Sequence, residues 1–151
     1  MKKLLICALV LTTVLANDYS IVHTVDIAIR SCHKLWLRAH PGGSGATVDH
    51  QTFIGPWEKW KLCYLANGNV ALKSWHGTYL RAHPGGQGAR LDLQTFIGPW
   101  ENFQLVYHGD GSYSLKSIHG TYVRLWPGRE GARADMQTFM GGWERFYFDQ
   151  V

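Results

Sequence analysis

The chain has 151 residues, 46% of them hydrophobic and 13% aromatic, with 15 Lys and Arg against 11 Asp and Glu. A net charge of +4 on this length falls short of the basic stripe that marks a dedicated nucleic-acid binder. The length suits one domain with a real hydrophobic core.

The chain opens MKKLLICALVLTTVLA. Lys2 and Lys3 make a positive start, Leu4 to Ala16 form a short, mostly apolar run, and Val14 and Ala16 put small residues before a cleavage point. That is the layout of a secretory signal peptide, and the run is too short to span a membrane. Residues 1–16 are expected to be removed, leaving a secreted, extracellular domain of residues 17–151 with no membrane span. Two lysines leave with the segment, so thirteen Lys and Arg face eleven Asp and Glu, a net +2. No nucleic-acid partner is expected. All eight histidines remain, and they would add positive charge in an acidic medium. Cys7 leaves too, so Cys32 and Cys63 stay as an even pair in an oxidising compartment. No Asn-x-Ser/Thr acceptor for an N-glycan occurs.

Beyond this lead the sequence repeats every 43 residues. Aligned on His33, His76 and His119, the units read HKLWLRAHPGGSGATVDHQTFIGPWEKWKL, HGTYLRAHPGGQGARLDLQTFIGPWENFQL and HGTYVRLWPGREGARADMQTFMGGWERFYF. Just upstream stand DIAIRS (26–31), NVALKS (69–74) and SYSLKS (112–117). The repeats span about 25–67, 68–110 and 111–151. Open arrays need atypical capping repeats at their ends, and these units have none, so a closed three-fold arrangement is expected. Each unit holds four period-two stretches, in the second unit NVALKS, TYLRA, ARLDLQ and ENFQLVY, bounded by His-Gly, Pro-Gly-Gly and Gly-Pro turns. Three sets of four short strands predict an all-β chain, a β-trefoil with pseudo-three-fold symmetry.

NVALKSWHGTYLRAHPGG and GPWENF resemble the fascin-like and hisactophilin-like β-trefoils of the actin-crosslinking superfamily. There a strand, a His/Gly turn, Tyr-Leu-small and a Gly-rich loop recur in each third, and Trp-Glu-x-aromatic opens the last strand. The resemblance covers residues 25–151 and implies actin binding. The signal peptide opposes that activity, because a secreted protein meets no cytosolic actin. A lone trefoil also lacks a second filament site unless it dimerises; a monomer or weak homo-oligomer is expected. The secreted, single-trefoil layout is also similar to fascin-like proteins of cnidarian secretions that bear the name peroxidase.

In such a fold each third faces the same packing problem and can solve it with the same letters. Trp57, Trp100 and Trp143 are expected to plug equivalent gaps in the core, each burying ~200 Å². Glu58, Glu101 and Glu144 follow tight turns whose backbone N–H groups need acceptors. Cys32 ends the first strand of unit one and Cys63 lies on its fourth. Those strands pair in a trefoil barrel, which predicts a Cys32–Cys63 disulfide.

RAHPGG at 38–43 and 81–86 becomes RLWPGR at 124–129, at the expected tip of each second hairpin. His40, His83 and Trp126 share one position. Both residue types present a flat ring and a polar N–H, which suits a sugar ring's C–H face and hydroxyls. Gly42 and Gly85, with the preceding prolines, would hold the loop and let a ligand approach the backbone. HPGG is similar to the His-Pro-x-Gly-Gly loops of mussel-type galactose-binding trefoil lectins, without that family's further downstream His and Asp residues. Arg38, Arg81 and Arg124 recur beside the tip, and Asp49, Asp92 and Asp135 on the facing strand. They form either cross-strand ion pairs or a polar clamp for hydroxyls and uronate carboxylates.

No catalytic motif is present: no Gly-x-Ser-x-Gly, His-Glu-x-x-His, phosphate loop or zinc-spaced Cys pair. The carboxylates recur as triplets rather than as one unusual pair, which weakens a glycosidase reading. The sequence has neither an evident haem ligand nor a pocket for one, and no cofactor or metal is expected. The expected function is a multivalent, lectin-like module for extracellular glycan or matrix polysaccharide. A peroxidase-type enzyme and a fascin-like actin binder are the alternatives.

Overall fold

Alternating apolar and polar residues build twelve short strands, described over residues 17–151 by a computed structural model. The expected signal peptide, residues 1–16, lies outside the described residues. Unit one holds β1 (Ile21–Ser31), β2 (Trp36–Ala39), β3 (Val48–Gln51) and β4 (Trp60–Leu65). Unit two holds β5 (Val70–Ser74), β6 (Tyr79–Ala82), β7 (Leu91–Gln94) and β8 (Gln104–Tyr107). Unit three holds β9 (Tyr113–Lys116), β10 (Tyr122–Leu125), β11 (Ala134–Gln137) and β12 (Phe146–Gln150). The chain is all-β with the three-fold layout of a β-trefoil. Among the described residues, no helix is long and apolar enough to cross a membrane.

Two boundaries differ from the sequence reading. β1 reaches back into the lead, setting Ile21 against Leu65 and Thr24 against Cys63. The fourth strand of unit two starts after Glu101, because Pro99–Glu101 form a single 3-10 turn and β8 begins at Gln104. Pro fixes φ and cannot donate to a ladder, so it opens a turn rather than a strand.

Six strands close a barrel: β1 pairs β4 and β12, β4 pairs β5, and β9 pairs β8 and β12. A single bridge, Val70 to Phe103, joins the second unit's outer strands. At the β1–β12 seam Asp149 accepts hydrogen bonds from Arg30 Nε and Trp36 Nε1, both at 3.0 Å. The remaining strands form three hairpins, β2–β3, β6–β7 and β10–β11. Each hairpin loop leans on the next unit. Gly45 N–H donates to Leu93 O, Gly88 N–H to Met136 O and Gly131 N–H to His50 O, all at 2.8–2.9 Å.

The core is built from triplets such as Ile29, Leu72 and Leu115 and a second set, Leu37, Leu80 and Val123, all buried. Its large aromatic plugs are Trp60, Phe103 and Phe146, also buried. Trp60 still pairs its indole N–H with Leu37 O at 2.9 Å. This corrects the expectation for Trp57, Trp100 and Trp143: each is 38% exposed. The 3-10 turn of Pro56–Glu58 turns Trp57 outward and delivers the aromatic three residues later to the core. The glutamates behave as the turn requires. Buried Glu58, Glu101 and Glu144 accept the N–H of Gly55, Gly98 and Gly141 at 2.6–2.8 Å.

The expected Cys32–Cys63 disulfide is absent; both cysteines are free thiols. β1 and β4 do pair, but Thr24 is the residue opposite Cys63. Cys32 stands eight positions further along, ~26 Å at strand rise, far outside the reach of a disulfide. Cys63 is buried and Cys32 exposed, and burial raises the thiol pKa of each.

Candidate functional site

Turns between the first and second strands of each unit carry the histidines used for alignment. Ser74 Oγ accepts the N–H of His76 and of Thr78 at 3.2 Å, and Ser117 Oγ repeats this for His119 and Thr121. Such local bonds shape the turn and aim its side chain. His76 Nε2 then lies 2.9 Å from Ala39 O, and His119 Nε2 3.0 Å from Ala82 O, each reaching into the preceding unit. His33 departs from this pattern, with its Nε2 3.6 Å from Cys32 Sγ.

Against each of these histidines stands one outward tryptophan. Trp57 meets His76 edge-on at 5.3 Å between ring centroids and its own unit's His40 at 5.6 Å. Trp100 lies between His119 and His83, both at 5.4 Å. Trp143 lies between His33 at 5.5 Å and Trp126 at 5.1 Å. Three seams between units therefore each present a half-open indole braced by two rings. Edge-to-face contacts fix such rings at little conformational cost.

The hairpin-tip ring is in turn anchored from below. His40 Nε2 and His83 Nε2 lie 3.0 Å from Asp49 and Asp92, and Trp126 Nε1 donates to Asp135 at 2.9 Å. His and Trp can share the position because each sets a ring nitrogen 2.9–3.0 Å from the same carboxylate. Arg38, Arg81 and Arg124 grip these carboxylates through Nε and Nη2 at 2.8 and 3.0 Å. Burial opposes ionisation of Asp49 and Asp92. Hydrogen bonds from Arg38 and His40, and from Arg81 and His83, outweigh it and hold both carboxyls below the usual range.

Of the two readings of the Arg–Asp pairs, the geometry forms the cross-strand latch. The Asp92 and Asp135 side chains are 1% and 2% exposed, with their oxygens already occupied. They are committed to the latch beneath the rings, with Arg81 and Arg124 as their partners. Asp49 keeps more access, and Arg38 also reaches Glu130 at 3.2 Å. Gly42 and Gly85 adopt φ of +134° and +132°. A side chain there would also crowd Ala46 or Ala89 at 3.2–3.3 Å, so these glycines shape the loop itself. Among the described residues, no group of three His, Cys, Asp or Glu could hold a metal ion.

The sequence reading gathered the hairpin-tip residues but missed the exposed face of Trp57, Trp100 and Trp143 and the part played by His33, His76 and His119. It also missed Phe53, Phe96 and Phe139, which stand 58–59% exposed on the same loops as the tryptophans. The signal was there: these residues repeat at the 43-residue period while apolar core positions drift between Trp and Phe.

No protein-family model and no curated protein matches the sequence. Several solved structures are similar in fold. A designed three-fold symmetric protein, ThreeFoil, has 21% identity and a TM-score of 0.76, over 83% of this chain and 99% of its own. SeviL, solved bound to asialo-GM1 saccharide, has 12% identity and a TM-score of 0.68, over 87% of this chain and 99% of its own. A Culex quiquefasciatus salivary protein of the cysteine- and tryptophan-rich family has 14% identity and a TM-score of 0.68, over 91% and 99%. The chain thus has the fold of the three-fold symmetric β-trefoils.

Proposed function

We propose that the chain is a secreted, multivalent glycan-binding module whose three seams stack sugar rings on Trp57, Trp100 and Trp143. One observation carries this reading. The same indole stands open at each seam, braced by two rings, one of which is seated on an Arg–Asp pair. Natural cores hide such groups, and an exposed aromatic repeated three times in a rigid setting suits the C–H face of a sugar. Exposed Arg90 and Arg133 and the Gly-rich loops supply nearby donors for hydroxyls. That SeviL was solved with a saccharide supports a sugar as the ligand class. Three sites on one small body would hold a polymer ~10²-fold or more tighter than a monosaccharide through effective concentration.

The test starts from the full chain expressed in a secretory host, where protein beginning at Asn17 is expected in the medium; retention inside the cells counts against secretion. Polysaccharide arrays and pull-downs then compare it with the Trp57→Ala, Trp100→Ala, Trp143→Ala triple variant. Binding is expected to vanish while the melting transition survives, because the indoles lie outside the core. A folded triple variant that holds polymer as the parent does overturns the reading.

A further inference from the structure

Beside the first seam lies a cavity of about 600 Å³, within the size range of small-ligand sites. Its lining includes Lys59, Lys61, Lys73, Trp75, His76 and Asp26. Asp26 is already engaged by Lys61 at 2.7 Å. Among the described residues, Lys59 and Lys73 have no carboxylate partner within 4.0 Å. Trp75, 59% exposed, presents an unstacked indole. His76 joins the cavity to the shelf, since it also packs on Trp57.

The three-fold symmetry isolates this place. At the second seam the equivalents of Lys59, Lys61 and Trp75 are Asn102, Gln104 and Ile118, and one lysine, Lys116, remains. At the third seam the equivalents of Lys59 and Lys73 are Arg145, 4.0 Å from Asp110, and Arg30, tied to Asp149 at 3.0 Å, while those of Lys61 and Trp75 are Tyr147 and Cys32. Only this seam combines three lysines with a bare tryptophan, and the other two fold without that combination.

We infer that this cavity is a subsite for an anionic sugar, one bearing a carboxylate or a sulfate, held by Lys59 and Lys73 and stacked on Trp75. The inference rests on the glycan reading above and deepens it: the Trp57 shelf takes one ring of a chain and the cavity takes an acidic neighbour. Lysine suits this role as a flexible point charge for either anion, while the indole face is blind to charge and reads only the ring.

The experiment measures binding of the full chain to three oligosaccharides of matched length by titration calorimetry: polygalacturonate, a sulfated galactan and an uncharged galactan. At least one anionic probe is expected to bind ~10-fold or more tighter than the neutral one, with the advantage shrinking as salt rises. Which anionic probe gains tells carboxylate from sulfate. The Lys59→Gln, Lys73→Gln double variant is expected to lose that advantage and to keep its affinity for neutral galactan. Trp75→Ala should weaken the anionic probe, whose acidic ring the lysines draw into the cavity, more than the neutral one. Equal binding of all three probes by the parent, or an intact preference in the folded double variant, overturns the inference. If the neutral probe fails to bind the parent while the lysine variant still loses the anionic one, the shelf reading falls and the cavity stands.

Discussion

Lys34 sits in the left-handed region at φ 62°, the one non-glycine with positive φ among the described residues. Its equivalents are Gly77 and Gly120, at φ +85° and +82°. A left-handed L-residue costs roughly 1–2 kcal/mol, and glycine returns part of that gain as unfolded-state entropy. Lys34→Gly is therefore expected to stabilise the domain by about 0.5–1 kcal/mol, read as a higher midpoint in urea. Unchanged or lowered stability would show that Lys34 makes a compensating contact. The same small scale decided the cysteines: a shift in strand register, invisible in a count of two, separates Cys32 from Cys63.

Each hairpin is an element latched by one Arg–Asp pair, and the three latches differ in burial. Removing one partner of a buried pair strands the other, at ~3–5 kcal/mol. Asp92→Ala, which leaves Arg81 alone, is expected to cost about 3 kcal/mol, while Asp49→Ala, at a 21% exposed carboxylate, should cost clearly less. Denaturant melts of the two variants check the order, and equal losses would mean that burial does not set the latch strength. Because Arg81 and His83 depress the Asp92 pKa, this stabilisation is complete above about pH 4, the unfolded carboxylate range. It fades as pH falls through the folded value. At this scale the strands were legible, since period-two alternation states which residues face inward. The loop between β3 and β4 was not. GPWEKW offers two tryptophans three residues apart, and hydrophobicity ranks them equally. Only the 3-10 turn decides that Trp60 goes in and Trp57 out.

The whole molecule depends on a hub where the three hairpin loops meet β3, β7 and β11. Two of the equivalent residues there are Leu93 and Met136, and the third is His50, fully buried with Nδ1 2.8 Å from Ala132 O. Burial pushes the His50 pKa down. The native state resists a proton that the unfolded chain accepts below about pH 6.5. Global stability is then full above that pH and falls below it, by up to ~1.4 kcal/mol per pH unit until the folded pKa is reached. His50→Leu, copying unit two, is expected to flatten the stability profile between pH 7 and 5. Parallel profiles for parent and variant would remove His50 as the source. The period and the closed three-fold plan were readable from sequence, because repetition fixes topology. This hub was not, because a histidine beside an aspartate carries no sequence signal that it is buried.

The Arg30–Asp149–Trp36 cluster has a consequence for how the molecule finds its order. A ring of three near-copies offers a late-docking strand several grooves of almost the same shape. The counterparts of Asp149 are Val106 and Cys63, and those of Arg30 are Lys73 and Lys116. Only at the true closing seam does the half-buried Asp149 carboxylate meet both a guanidinium and an indole N–H. Elsewhere it would lose hydrogen bonds worth a few kcal/mol. Chain order is thus written at one joint, where the last strand meets the first. That mark names the correct strand and not the correct copy, so two molecules that exchanged their third units would keep every one of these bonds.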